Sequence, residues 1–102
     1  MPKDKGPDNK LIRELIEESA ARAALGVEGV AEVNDVKSDM DQDLRHTELK
    51  IYLDVSFGYS IPSVSWDVQN AVKAGVKTAS EYDAEKIDIY IQGVAPKKEK
   101  EE

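Results

Sequence analysis

Aspartates are the first residues in this sequence whose spacing suggests chemistry. In the stretch 39–43 they occupy alternate positions, as they do at the start of calcium loops of the EF-hand type. The pattern then fails, because Leu44 stands where the loop requires glycine and Lys50 stands where it requires a bidentate glutamate. We therefore interpret 39–43 as a solvated acidic hairpin tip and predict no metal site. Weak, non-specific cation binding stays open.

The other residue types that carry out chemistry are scarce. The chain has one histidine, His46, and no cysteine, so it lacks disulfides, thiolate nucleophiles and cysteine-type zinc sites. A general base needs an oriented partner, and we expect His46 to be a solvated residue of a polar hairpin loop. The sequence also has neither a GxGxxG run nor a P-loop lysine. These features predict no catalytic residues, no cofactor and no enzyme activity.

Two tyrosines are the candidate binding residues. Tyr52 and Tyr90 fall at outward positions of two predicted strands. Tyrosine is enriched at protein interfaces, since it combines a large contact area with a polar tip. We therefore predict Tyr52 and Tyr90 as partner-interface residues. The simpler alternative, that the two tyrosines only pair across strands on a solvent-exposed sheet face, stays open.

Two segments have the apolar spacing of amphipathic helices. The first covers residues 9–25. The second begins at Ser60, a favourable N-cap residue, with Pro62 in the first turn, where a missing N–H costs nothing. The small residues Ala71 and Gly75 in this second helix predict a close approach to a sheet.

Three segments are predicted strands, over residues 30–36, 48–58 and 86–94. In the second, every odd position through Phe57 is apolar, and this period of two predicts one buried and one wet face. The polar residues 38–47 predict a loose hairpin loop between the first two strands.

The order helix–strand–strand–helix–strand predicts an α+β fold. A chain of 102 residues is one small domain by the usual length relation. We expect a three-stranded sheet with two helices packed on one face. The domain is predicted to span residues 9–95, between a disordered leader over 1–8 and a disordered charged tail over 96–102.

Charge and hydropathy limit the partners of this domain. There are 21 acidic and 14 basic residues, for a net charge of −7, which disfavours nucleic acids and anionic lipid surfaces. No apolar run approaches the roughly 18 residues needed to cross a bilayer. We therefore expect a cytoplasmic protein without direct membrane insertion, which associates with a membrane only through a partner.

RNA binding is the alternative function, because the element order is similar to that of KH domains. The run from Gly26 to Gly29 has the GxxG spacing of their backbone clamp, and the two tyrosines could stack bases. Against this, Glu28 stands where a phosphate would lie, and the run does not join two helices.

Residues 10–94 resemble the alkaline-shock protein (envelope stress response) family of Gram-positive bacteria. The resemblance rests on a Tyr-Gly-type turn, an S-I-P helix start, V-x-x-x-V spacing in that helix and a closing Q-G-V triplet. In this chain these features are Gly58-Tyr59, Ser60-Ile61-Pro62, Val64 through Val76, and Gln92-Gly93-Val94.

The resemblance implies a cytoplasmic, non-catalytic protein-protein interaction or scaffolding protein linked to cell-envelope stress homeostasis. It also implies that the protein acts through self-association as a homo-oligomer or through binding to a membrane-anchor protein.

Overall fold

The computed structural model describes residues 6–96 and confirms the predicted α+β fold. Two helices and three strands follow one another in the predicted order: α1 Gly6–Leu25, β1 Val30–Asp41, β2 His46–Ser56, α2 Ile61–Ser80 and β3 Asp83–Ala95.

The predicted leader 1–8 and tail 96–102 lie mostly outside the described residues, at 1–5 and 97–102, and stay predictions. The first helix begins at Gly6, three residues before its predicted start at residue 9.

The three strands form one mixed sheet in the order β1-β2-β3. β1 pairs with β2 in antiparallel fashion, whereas β2 and β3 are parallel. Parallel neighbours need a crossover connection, and α2 supplies it. Helix α1 packs against α2 and β1, and α2 also packs against β3, so both helices cover the same face of the sheet.

The hairpin between β1 and β2 is tighter than expected, and the predicted loose loop over 38–47 is wrong. The two strands stay paired until Asp41 meets His46, so only four residues form the turn. The carboxylate of Asp41 accepts from the backbone N–H groups of Asp43 and Leu44, at 3.1 and 3.2 Å. This side-chain bond closes a short turn, which local apolar spacing cannot predict.

The core lies between the sheet and the helices and is mainly aliphatic, with Tyr82 buried as well. Alternate residues of β2 are buried, as the period of two predicted. Each such aliphatic side chain contributes about 1.5–3 kcal/mol by leaving water. The buried aliphatic residues of α1, β2 and α2 are Ile16, Ala20, Ala24, Leu49, Ile51, Leu53, Val55, Val64, Val68, Val72 and Val76.

Two local predictions about packing are wrong. Phe57 does not continue the buried face of β2, because the strand ends at Ser56 and the Phe57 side chain is 65 % exposed. Gly75 does not face the sheet: a Cβ at this position would lie 3.0 Å from the Cβ of Ala23 in α1. The small residue therefore permits close contact between the two helices.

The start of α2 is as predicted. The side chain of Ser60 accepts from the backbone N–H of Ser63, and proline stands in the first turn. This capping satisfies one of the N–H groups left free at a helix start.

Candidate interaction surface

The sheet face opposite the helices is open: no helix or strand among residues 6–96 covers it. On β2 this face carries the polar residues that alternate with the core residues, and they are exposed or half-buried. We call it the open face.

Tyr52 and Tyr90 meet at the centre of the open face. They are register partners on the parallel strands β2 and β3, and their rings stack with centroids 4.9 Å apart and planes 14° apart. From β1, the Lys37 Nζ lies 5.6 Å from the centroid of the Tyr52 ring. Tyr90 is 41 % exposed. The two tyrosines thus form a cross-strand pair, and their role toward a partner stays a prediction.

Charged side chains of both signs surround the tyrosine pair. Two neighbouring rows across the sheet carry opposite net charge: Lys37–Lys50–Asp88 has two cations and one anion, and Asp39–Glu48–Lys86 has two anions and one cation. Residues of both rows line a hollow of about 310 Å³. A surface with this pattern can complement another surface that carries the same rows in reverse order.

A polar cluster that the sequence analysis missed lies on the other side of the tyrosine pair. The Asn34 Nδ2 donates to the Asp54 Oδ1 at 3.2 Å and to the Gln92 Oε1 at 2.9 Å. Asn34 and Gln92 stand where the register shifts by one residue in β1 and in β3. Gly93 is the sequence signal for this site, since glycine inside a strand often marks a bulge. A Cβ at Gly93 would lie 3.3 Å from the Asp54 Oδ1.

Side chains form hydrogen bonds with backbone groups of both edge strands, β1 and β3. In β1, Asp35 Oδ1 accepts from the N–H of Val36 at 2.9 Å, and Arg13 donates to the carbonyl of Ser38 at 2.6 Å. In β3, the Gln69 Nε2 donates to the carbonyl of Ile87 at 2.8 Å. Bonds of this kind hinder the pairing of an additional strand at these positions.

His46 is not the solvated loop residue that the sequence predicted. It is the first residue of β2 and is half-buried. Its Nδ1 lies 2.9 Å from the Glu85 Oε2, although the two groups are not aligned for a hydrogen bond. Within residues 6–96, no group of three or more histidine, aspartate or glutamate side chains is arranged to hold a metal ion.

The run from Gly26 to Gly29 joins α1 to β1 and has a packing role. Gly29 is buried with a φ of 99°, and a Cβ there would lie 2.7 Å from the Val64 Cγ2. Nearby, the Tyr59 hydroxyl donates to Glu28 Oε2 at 3.2 Å. This hydrogen bond and the negative charge of Glu28 raise the pKa of Tyr59 above its ordinary value.

The fold and the open face together define a small α+β module with a mixed three-stranded sheet, helices on one face and a tyrosine-centred surface on the other. The sequence profile of the alkaline-shock protein 23 family, described by a cell envelope-related function, matches residues 34–96. The chain belongs to this family, as its resemblance predicted. No curated protein matches the sequence.

Solved structures of the MamM CTD have a similar fold. One is 16 % identical with a TM-score of 0.56, over 78 % of this chain and 96 % of that one. A nickel form of a variant is 15 % identical with a TM-score of 0.55, over 83 % and 99 % of the two chains. A copper form of another variant has the same identity and TM-score, over 83 % and 98 %. At this level of identity the likeness shows the fold alone.

None of the helices within residues 6–96 combines the length and the apolar character that crossing a membrane requires.

Proposed function

We propose that this chain is a non-catalytic interaction module of a cell envelope-related system, acting through self-association or through a membrane-anchor partner protein. The observation that carries the proposal is the stacked pair Tyr52–Tyr90 at the centre of a sheet face that no described element covers. Membership of a family with a cell envelope-related function supports the cell envelope-related part of the proposal.

The tyrosine rings are already stacked in the chain without a partner. Each ring is held against the other at 4.9 Å, and Lys37 approaches the pair from β1. Binding usually costs entropy when exposed side chains become fixed, and a preformed stack lowers that cost. Large aromatic side chains at the centre of an interface also carry most of its binding energy.

The order of two charged rows on the open face permits a second copy of the chain as one partner, although the face as a whole is net acidic. The two oppositely charged rows lie side by side, so a two-fold related copy can place the cationic row of one molecule against the anionic row of the other. An interface of this kind is self-complementary, as two-fold contacts between identical chains must be. Side chains already bond the Val36 N–H and the carbonyls of Ser38 and Ile87 on the edge strands, which supports contact through the face rather than through a strand added at these positions.

Sedimentation velocity over a range of protein concentrations tests the proposal. In the variant Tyr52→Ala with Tyr90→Ala, we expect the dissociation constant for self-association to rise by about tenfold or more, since central tyrosines commonly contribute 1–2 kcal/mol each. The matched control is Phe57→Ala with Trp66→Ala, which removes two aromatic side chains that are each 65 % exposed and lie outside the open face. Circular dichroism and urea unfolding establish that both variants are folded.

A pull-down from membrane fractions with the same variants tests the anchor-partner form of the proposal. Loss of capture only in the tyrosine variant supports contact through the open face. If that variant is folded but assembles and is captured like the unsubstituted protein, the open face is not the contact surface.

The same variants also test the RNA-binding alternative. RNA affinity that is measurable at low salt, falls steeply as salt rises and disappears with the tyrosines would favour an RNA-binding domain. Seven acidic and three basic side chains on the open face argue against this outcome: Glu32, Asp35, Asp39, Asp41, Glu48, Asp54 and Asp88 oppose Lys37, Lys50 and Lys86.

A further inference from the structure

A groove runs along the seam between α1 and β1, on the side of β1 that faces the helix. It consists of two adjoining, shallow hollows of about 310 and 550 Å³. Both hollows are lined by Glu18, Ala21 and Val33, so they form one continuous depression. We call it the α1–β1 groove.

The floor of the α1–β1 groove is apolar. Its aliphatic lining residues come from the second half of α1 and from β1, and they are Ala21, Leu25, Ala31, Val33 and Val36. Leu25 is 55 % exposed and Ala31 is exposed as well. Aliphatic side chains that line a concave surface gain free energy when a partner's apolar side chains displace water from them.

The rim of the groove is acidic. Four carboxylates line it, and the single cation, Arg22, lies 3.7 Å from one of them, Glu18. A second carboxylate, that of Glu17, is held in place because it accepts from the Ser38 hydroxyl at 2.6 Å. The four acidic lining residues are Glu17, Glu18, Glu32 and Asp35.

We infer that the α1–β1 groove binds a basic, amphipathic segment of a partner protein. Apolar side chains of that segment lie on the aliphatic floor, and its lysines or arginines pair with the rim carboxylates. Charge complementarity selects this occupant, because the rim carries four negative charges and one positive charge. The groove would form a second contact site, next to the open face of the proposed function, with Glu32 and Asp35 on the border between the two.

Other occupants fit the groove less well. Residues 97–102 of the chain itself are only lysine and glutamate, so they have no apolar side chain for the floor. Nucleic acids and anionic lipid headgroups are repelled by the rim. A second copy of the chain, with its net charge of −7, offers less basic surface than acidic surface.

Fluorescence polarisation with a labelled synthetic peptide tests the inference. The peptide carries leucine at helical spacing with lysine between, and its counterpart carries glutamate in place of lysine. We expect the lysine peptide to bind the intact chain with an affinity that falls as salt rises, and the glutamate peptide not to bind. In Glu18→Lys with Glu32→Lys, the dissociation constant should rise by about tenfold, because two attractive pairs become repulsive.

Two matched controls separate the groove from general charge and general apolar contact. Asp43→Lys with Asp67→Lys changes the net charge equally but lies outside the groove, so it should leave affinity within about twofold. Leu25→Ser should weaken binding, whereas Leu11→Ser, at another exposed leucine of the same helix, should not. Equal weakening by both charge reversals, or no binding of the lysine peptide, would overturn the inference.

Discussion

At the scale of single residues, two glycines have nearly the same φ angle, but replacing them with alanine should lower the free energy of unfolding by different amounts. Gly29 and Gly58 have φ values of 99° and 96°, which side-chain-bearing residues rarely adopt. A Cβ at Gly58 would meet no atom within 4 Å. At Gly29 it would lie 2.7 Å from Val64 and 2.9 Å from the ring of Tyr59, so two separate constraints require glycine there.

The pair Gly29→Ala and Gly58→Ala should separate these two constraints. We expect Gly58→Ala to lower the free energy of unfolding by about 1–2 kcal/mol, from backbone strain alone. Gly29→Ala should lower it by about 2–4 kcal/mol, since the added methyl group also overpacks the junction of α1, β1 and α2. Urea unfolding monitored by circular dichroism measures both values. Equal effects would mean that Val64 and Tyr59 move aside without cost.

At the scale of elements, the spacing between the helices depends on one small side chain. Gly75 of α2 stands opposite Ala23 of α1, and a Cβ atom on residue 75 would lie 3.0 Å from the Cβ of Ala23. Close packed helices transmit any added volume to their neighbours, because protein interiors have few voids. The position of α1 over β1, and hence the α1–β1 groove, therefore depends on this contact.

Gly75→Leu should force the two helices apart. We expect a loss of about 1–3 kcal/mol in the free energy of unfolding, because overpacking outweighs the better helix propensity of leucine. Ala74→Leu is the matched control, since Ala74 is exposed on the same helix and its substitution should change stability by less than about 0.5 kcal/mol. Thermal unfolding of the two variants side by side measures the difference. A Gly75→Leu variant as stable as its control would show that the helix contact yields easily.

At the scale of the whole molecule, the chain offers two surfaces of different chemistry. The open face presents stacked aromatic rings among charges of both signs, and the α1–β1 groove presents an aliphatic floor within an acidic rim. Strand β1 lies between the two surfaces, and its outward residues Glu32 and Asp35 border both of them. A module with two separate surfaces can bind two partners at once, which is what scaffolding requires.

Independence of the two surfaces is testable in the full chain. We expect Tyr52→Ala with Tyr90→Ala to leave peptide affinity within about twofold, and Leu25→Ser, which changes the groove but not the open face, to leave self-association within about twofold, since distant sites act additively. Polarisation and sedimentation on the same samples provide the two measurements. A variant at one surface that impairs both readouts would show that the surfaces are one site.

Much of the fold is determined locally by the sequence. Apolar residues at alternate positions of β2 could be assigned to a buried face without coordinates, because the period of side chains along a strand is fixed by covalent geometry. The same argument places Tyr52 and Tyr90 at outward positions. The cap at Ser60 and the prolyl residue after it likewise identify the start of α2 from local chemistry.

The tertiary structure alone decided which distant residues share a surface. Tyr52 and Tyr90 stack because they are partners in the strand register. Asn34 donates hydrogen bonds to Asp54 and Gln92 because the bulges in β1 and β3 place these residues side by side. The groove likewise exists only because α1 lies along β1. Periodicity along one segment carries no information about its register with another segment, because register depends on packing and hydrogen bonding between residues far apart in the chain.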